Sequence, residues 1–331
     1  MTSSRQSRTN YGRRFFWFAV AIALACLAYT GGWFYAARFV EDEVKTTLAA
    51  LNGNGRRANC EEAQARGYPF RIGVFCRSVM YEDAAGGVGL RARAFRSAAQ
   101  VYAPHRALAE LDGPGRLEVP GLTALDLHWA SMRASTRLAM PLPDLFSLES
   151  RELEVRLDEP GDVSPLLWSA EVLEFHMRPA GDDLDLASRF TRLRLAPGFA
   201  PMEGFPAFNG LVDFQLAEGA LLHGARADLR GRSGMLRTAA LSIDGTDAGA
   251  TIRGPVSIDT AGLIDADLEL TLRDPAAIAD LLVALFPEAS REIALSAAGI
   301  AAMGNEPTLP LRIRRGEVSL GIFTLGVIPP I

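Results

Sequence analysis

Between Arg14 and Arg38 the chain carries no charged residue: FFWFAVAIALACLAYTGGWFYAA, Phe15 to Ala37. A helix over those 23 residues rises about 35 Å against roughly 30 Å of hydrocarbon, so the stretch reads as one membrane span with modest tilt. Trp17 lies near one interface and Trp33 and Tyr35 near the other, where amphipathic rings sit at headgroup level. Arg5, Arg8, Arg13 and Arg14 precede the span with no acid among them, and Glu41, Asp42 and Glu43 come after it. That bias holds the N-terminus in the cytoplasm and sends the bulk of the chain across the membrane. A cleaved signal peptide has a shorter apolar core and small residues before the cut, which Tyr35-Ala36-Ala37 matches poorly. A lipidated Cys26 is disfavoured too. The Leu of Ala23-Leu24-Ala25 is one position off the usual pattern, and the apolar run continues past it, so a small side chain facing lipid is the simpler reading.

The remainder of the chain must fold on the far side. Some 294 of the 331 residues come after the span, enough for one large domain or two small ones with a sizeable core. The formal charge is −5, and −9 once the four leading arginines are set aside. Such a body is a poor binder of nucleic acid and gains nothing overall from anionic lipid heads. Lys45 is the only lysine, which reflects genomic composition and not chemistry. Cys60 and Cys76 are the only cysteines outside the span, and beyond the cytoplasm such a pair reads as a disulfide. It closes a loop of about fifteen residues, worth roughly 3 kcal/mol through chain entropy. Redox or metal chemistry fits less well, because the spacing is far from C-x-x-C and no His lies nearby.

Along the chain, residues 1–14 are rich in Ser, Thr and Arg without an apolar period and read as a disordered cytoplasmic tail. Beyond the 15–37 span, Val40, Val44, Leu48 and Leu51 recur at helical spacing until Asn52-Gly53, so residues 38–58 read as a juxtamembrane helix and linker. Residues 59–331 then read as one periplasmic β-rich domain. Gly67 and Pro69 lead into a strand from Phe70 to about Met80. Three stretches, YTGGWFYAA, RRANCEEAQARGYPFRIGVFC and LRARAFRSAAQVYAP, resemble an uncharacterised alphaproteobacterial family, domain of unknown function 2125. The resemblance covers most of the chain and implies no chemistry, since no activity is known for the family. In general build that family is similar to AsmA-like envelope proteins, which implies one N-terminal span and then a long β-rich periplasmic part.

From Val88 to about Arg273 short runs alternate apolar and polar, as in Leu125-Asp126-Leu127, Leu153-Glu154-Val155-Arg156-Leu157 and Leu268-Glu269-Leu270-Thr271-Leu272. Period two means one apolar and one wet face, the mark of an antiparallel sheet. Asp112-Gly113, Asn209-Gly210, Glu218-Gly219 and Asp244-Gly245 suit tight hairpins. A helix is expected from Asp274-Pro275 to Pro287 with Ile278, Leu281, Leu282 and Leu285 on one face, and another from Ser290 to about Met303, both packed on the sheet or closing one end. Strands Leu309–Arg314 and Glu317–Phe323 should finish the fold, with the Val327–Ile331 tail tucked against the body and outside any ladder. The fold class is thus mainly β: an N-terminal transmembrane helix and a large curved antiparallel sheet, meandering and groove-like, with two or three packed helices.

No catalytic constellation stands out. His105, His128, His176 and His223 are scattered, and no nucleophile elbow, Walker loop or dinucleotide fingerprint occurs. Asp182, Asp183 and Asp185 lack the Gly and distal Glu of a calcium loop and read as a turn and strand edge. Asp265, Asp267 and Glu269 read as a solvated strand face, and Arg151 with Glu152 as a surface pair. Arg66, Tyr68 and Arg71 surround Pro69 beside the disulfide and are the candidate contact for an anionic headgroup or carboxylate, since arginine offers a two-pronged fork. The expectation is a non-enzymatic inner-membrane protein without cofactor or metal, sheltering lipid or another apolar envelope molecule in a sheet groove. The alternative is a tethered scaffold in envelope assembly whose sheet edges recruit partner proteins.

Overall fold

A computed structural model describes residues 11–53, 55–140, 142–158, 164–221, 229–321 and 323–330. Helix α1 (Tyr11–Leu51) is continuous and is long and apolar enough to cross a membrane. It therefore joins the uncharged stretch to the later apolar stripe without a break, and it starts inside the segment expected to be a tail. Asn52 then bonds to Ala58 with both side-chain atoms, Oδ1 accepting from the backbone N–H at 2.6 Å and Nδ2 donating to the carbonyl at 3.1 Å. The chain turns straight into the sheet.

Among the described residues that sheet has twenty strands, with all pairings antiparallel. The first ten are β1 (Arg56–Cys60), β2 (Gln64–Arg66), β3 (Arg71–Cys76), β4 (Val79–Asp83), β5 (Val88–Ala92), β6 (Phe95–Gln100), β7 (Ala103–Leu111), β8 (Gly115–Glu118), β9 (Leu125–His128) and β10 (Ser131–Arg137). They form two arms, β1–β4–β5–β8–β9 and β2–β3–β6–β7–β10. Both arms end on β11 (Leu145–Leu157), whose first half pairs with β10 and second half with β9. The fork lies at Glu152, where φ is 52°. Trp129, between β9 and β10, fills the angle: its Nε1 donates to the Leu111 carbonyl at 2.8 Å and its ring lies against Gly113 and Gly115. The expected Phe70–Met80 strand is in fact β3 and β4, broken at Arg77-Ser78 where the chain crosses between arms. The Glu61 backbone holds that crossing, its carbonyl accepting from Arg77 N and its N–H donating to the Ser78 carbonyl. The Cys60–Cys76 disulfide joins β1 of one arm to β3 of the other, with Cα atoms 5.2 Å apart.

From β11 the chain meanders through β12 (Leu166–Ala180), β13 (Asp183–Leu195), β14 (Phe208–Leu216), β15 (Ser233–Ile243), β16 (Gly249–Ile258), β17 (Ile264–Arg273), β18 (Thr308–Arg314), β19 (Glu317–Leu320) and β20 (Phe323–Val327). Register shifts recur at Val155/Arg156, Phe190/Leu193, Asp213/Phe214 and Leu236/Ala239, and each bulge bends and twists its strand, which curves the sheet. Across the strands the alternation lines up into apolar rows, such as Met177, Leu186, Phe214 and Leu236. Two rings in this region lie on glycine: a Cβ on Gly210 would enter the Phe190 ring, and one on Gly234 the Phe214 ring. A buried core cluster is formed by Ala266, Leu268, Leu311 and Ile313, flanked by Leu236, Ile252, Val256 and Ile328.

Helices α2 (Pro275–Leu285) and α3 (Ser290–Ala301) interrupt the meander between β17 and β18. Asp274 caps α2, its Oδ1 accepting from Ala277 N at 3.2 Å. At the C-terminus one expectation is corrected. The last strand breaks at Leu320, and β20 returns along β19 with Val327 opposite Glu317, so Val327 is part of the ladder. Pro329 comes too late to prevent this, and the Ile328 N–H still donates to the Gly316 carbonyl at 2.8 Å.

Candidate functional site

The loop between β2 and β3, Gly67 to Phe70, does not stand free. It clasps α1. Tyr29 Oη donates to the Pro69 carbonyl at 2.6 Å, Trp33 Nε1 donates to the Arg71 carbonyl at 2.9 Å, and the Tyr68 and Thr30 hydroxyls bond at 2.8 Å. The Tyr68 ring meets Trp33 edge-on at 5.4 Å and stacks on Phe34 at 5.9 Å. Trp33 is buried as a result. Further along the helix, Glu41 Oε1 accepts from Ala65 N at 2.8 Å, so α1 is fixed to β2 as well.

This clasp separates the three residues proposed from sequence. Arg66 donates to Gln64 Oε1 at 2.8 Å and lies over the Phe75 ring, 5.3 Å from its centroid. Tyr68 is spent on the helix. Arg71 alone lines a surface recess, and there it meets Arg106 and Arg137, which pair across β7 and β10. The recess is about 410 Å³ and is also lined by Gln100, Thr136 and Leu145. Sequence reasoning missed Arg106 and Arg137 because only strand register brings them beside Arg71.

A second recess is apolar. Helices α2 and α3 pack on each other and leave a trough of about 810 Å³ against the β17 end, β18 and β20. Leu272, Ile278, Leu282, Ile293, Leu309 and Leu325 line it. The late helices therefore border an apolar surface instead of filling it. A third recess of about 400 Å³ lies between α1 and the β6–β7 hairpin, lined by Tyr29, Trp33, Phe39, Ile72, Val101 and Pro104.

The polar residues weighed from sequence sit in structural roles. Asp183 accepts from Gln215 Nε2 and Glu218 N, both at 3.0 Å, and ties down the β12–β13 turn. Asp185 is buried between Arg178 and Arg237, at 3.1 and 2.8 Å. Burial pushes its carboxyl upward, but the hydrogen bonds and charges of Arg237 and Arg178 outweigh this and hold its pKa below the usual value. Asp267 receives Arg314, and Arg151 pairs with Glu149, not with Glu152 at the fork. His176 Nδ1 meets Ser147 Oγ at 2.9 Å. His223 lies outside the described residues, and among those described no three His, Cys, Asp or Glu side chains gather as a metal set.

Comparison with curated proteins gives no match. A family model described as "Uncharacterized protein conserved in bacteria (DUF2125)" matches residues 33–329.

Proposed function

We propose that this chain, which belongs to the bacterial family DUF2125, is an inner-membrane-anchored periplasmic protein that binds or passes on lipid or another apolar envelope molecule. On this reading α1 crosses the membrane once, Arg13 and Arg14 stay with the N-terminus in the cytoplasm, and the β domain stands in the oxidising periplasm. The paired Cys60 and Cys76 suit that compartment. The reading is of a binding protein and not an enzyme.

The observation that carries it is the trough under α2 and α3. Apolar walls on three sides, left open by helices that pack on each other, suit an acyl chain or a similar ligand. Leu295 on α3 and Leu325 on β20 remain 67% and 61% exposed, so apolar area is still available for burial. Native mass spectrometry of the full chain, released by mild detergent without delipidation, is expected to show retained lipid. Replacing Leu282→Glu and Ile293→Glu should remove the trough-bound fraction while leaving any lipid held by α1. An apo mass for the unaltered chain, or retention unaffected by both substitutions, overturns the reading.

The scaffold alternative draws on β20. Its outer edge has no strand partner among the described residues, and Val327 is 74% exposed. An open apolar edge can pair with a strand of another protein. It predicts crosslinks from Leu325 to defined envelope proteins and no copurifying lipid.

A further inference from the structure

We infer that the tip of the second sheet arm, Tyr68–Phe70 with Val101 and Tyr102, is immersed in the outward-facing lipid leaflet, where Arg71, Arg106 and Arg137 hold lipid headgroup phosphates. The inference rests on the reading that α1 spans the membrane. Depth comes from helix rise. Tyr29 lies about 21 Å and Trp33 about 27 Å beyond Phe15, against roughly 30 Å of hydrocarbon. The tip is bonded directly to both: Pro69 to Tyr29, Arg71 to Trp33. Lifting Tyr29 clear of the hydrocarbon would draw Arg13 and Arg14 about 9 Å into it, which lipid strongly opposes. The tip therefore sits at leaflet depth with the helix.

Its chemistry fits that depth. From Gly67 to Phe70 and from Val101 to Pro104 there is no charge, and Phe70 and Tyr102 are 69% and 77% exposed. Backbone polar groups in lipid must be satisfied within the protein. The Pro69 and Arg71 carbonyls accept from Tyr29 and Trp33, the Phe70 carbonyl accepts from Val101 N, and Arg71 N donates to the Gly67 carbonyl. The nearby 400 Å³ cleft, walled by Tyr29, Trp33, Phe39, Ile72 and Val101, is apolar and suits an acyl chain.

The charges begin one step further out. Arg71 leaves the tip at the level of Trp33, near the outer boundary of the hydrocarbon. Arg106 and Arg137 are direct cross-strand partners, a like-charged pair that costs stability unless an anion lies between them. No ion pair is formed by any of the three with a described residue, so their charges stay available to an anion, unlike those of Arg96, Arg178 and Arg237, which hold carboxylates. What sets the three apart from other unpaired strand arginines is that they share one recess. Three arginine forks around one recess above an apolar tip match phosphate at a membrane surface. The body as a whole is acidic, so this patch is local.

The test uses the full chain with Cys26→Ala, in vesicles of phosphatidylcholine and phosphatidylglycerol containing nitroxide-labelled acyl chains. Environment-sensitive dyes are placed singly at Leu27→Cys in α1, Tyr102→Cys at the tip and Asp247→Cys in the β15–β16 turn. Quenching at Tyr102 comparable to Leu27, with none at Asp247, is the expected result. Quenching at Leu27 but not at Tyr102 overturns the immersed tip while leaving the span intact. No quenching at either removes the span and the inference together. Arg71→Gln, Arg106→Gln and Arg137→Gln together should leave the tip's depth, which α1 fixes, unchanged but abolish the enrichment of phosphatidylglycerol over phosphatidylcholine among lipids that native mass spectrometry finds retained on the full chain; undiminished enrichment overturns the headgroup role.

Discussion

Asp185 is the residue on which charge and burial press hardest. It lies under the sheet surface with an arginine on each side. Desolvation raises its pKa, and the two arginines more than reverse that rise. The sign of the pH effect is then fixed. A carboxyl with a folded-state pKa below its unfolded value, about 3.9, stabilises the fold above that unfolded value and loses the contribution as pH falls through the folded value. Asp83 behaves alike, because Gly86 N and Arg56 hold its carboxylate and together outweigh desolvation. Asp185→Asn should therefore destabilise the protein by about 1–2 kcal/mol at neutral pH, the scale of a charge-assisted hydrogen bond lost. The gap between the variant and the parent should close only as pH falls through the folded-state value of Asp185, below the ordinary carboxylate range, where both side chains are neutral. Denaturant melts across pH measure this directly. A gap that persists in strong acid would mean that packing and not charge accounts for Asp185. Its role is invisible in the sequence, where Asp182-Asp183-Leu184-Asp185 shows only acids near a turn; the arginines arrive from β12 and β15 through register.

At the scale of elements, the sequence was most legible where one face is apolar and the other wet. Leu153, Val155 and Leu268, Leu270 sit on the strands that their alternation predicts, and Asp274-Pro275 begins α2. Strands β1 and β2 are too short to show a period, and β20 is hidden behind a Pro-Pro pair that ends it instead of preventing it. The fork at Glu152 was illegible because a strand with two different partners on one edge has the same local pattern as any long strand. Of the arginines in the proposed anionic contact, Arg71 stands out in the sequence beside Pro69, but Arg106 and Arg137, which line the same recess, are distant from it in sequence. The fork also gives the disulfide a role beyond its loop. Cys60 and Cys76 bind the two arms at one of the points where the chain crosses between them, beside the Glu61 backbone pair and ahead of the Trp129–Leu111 bond, before both ladders meet on β11. Cys60→Ser with Cys76→Ser should cost about 3 kcal/mol, the loop-closure value for some fifteen residues. Because the bridge lies within the arms and not in the later meander, the loss should concentrate there. Hydrogen exchange should speed up in β1 to β10 more than in β12 to β18. Uniform acceleration would show that the arms are not a distinct unit.

For the whole molecule, the order of polarity along α1 links everything else. Basic residues, the uncharged stretch of α1 with the loop clasped to its far end, and then the acidic β body succeed one another in one direction, with no second helix among the described residues long enough to return through a membrane. A rigid junction has a consequence that a flexible tether would not. Since Tyr29, Trp33, Glu41 and Asn52 all bond to the β domain, it cannot swing freely on α1, and on the proposed orientation its second arm faces the bilayer at a fixed angle. Strand register, carried from β7 across to β17, puts the apolar trough at the opposite strand ends from the tip. On the proposed orientation it lies away from the lipid surface and opens towards the periplasm. That arrangement suits a protein holding an apolar ligand between the membrane and a partner. It depends on the C-terminal domain lying outside the cytosol. A reporter enzyme that matures only in oxidising surroundings, fused after Ile331, should be active in cells, and the same reporter fused ahead of Met1 should not. The reverse pattern would place the sheet in the cytoplasm, where neither the cystine bridge nor an outward-leaflet site for the tip could stand.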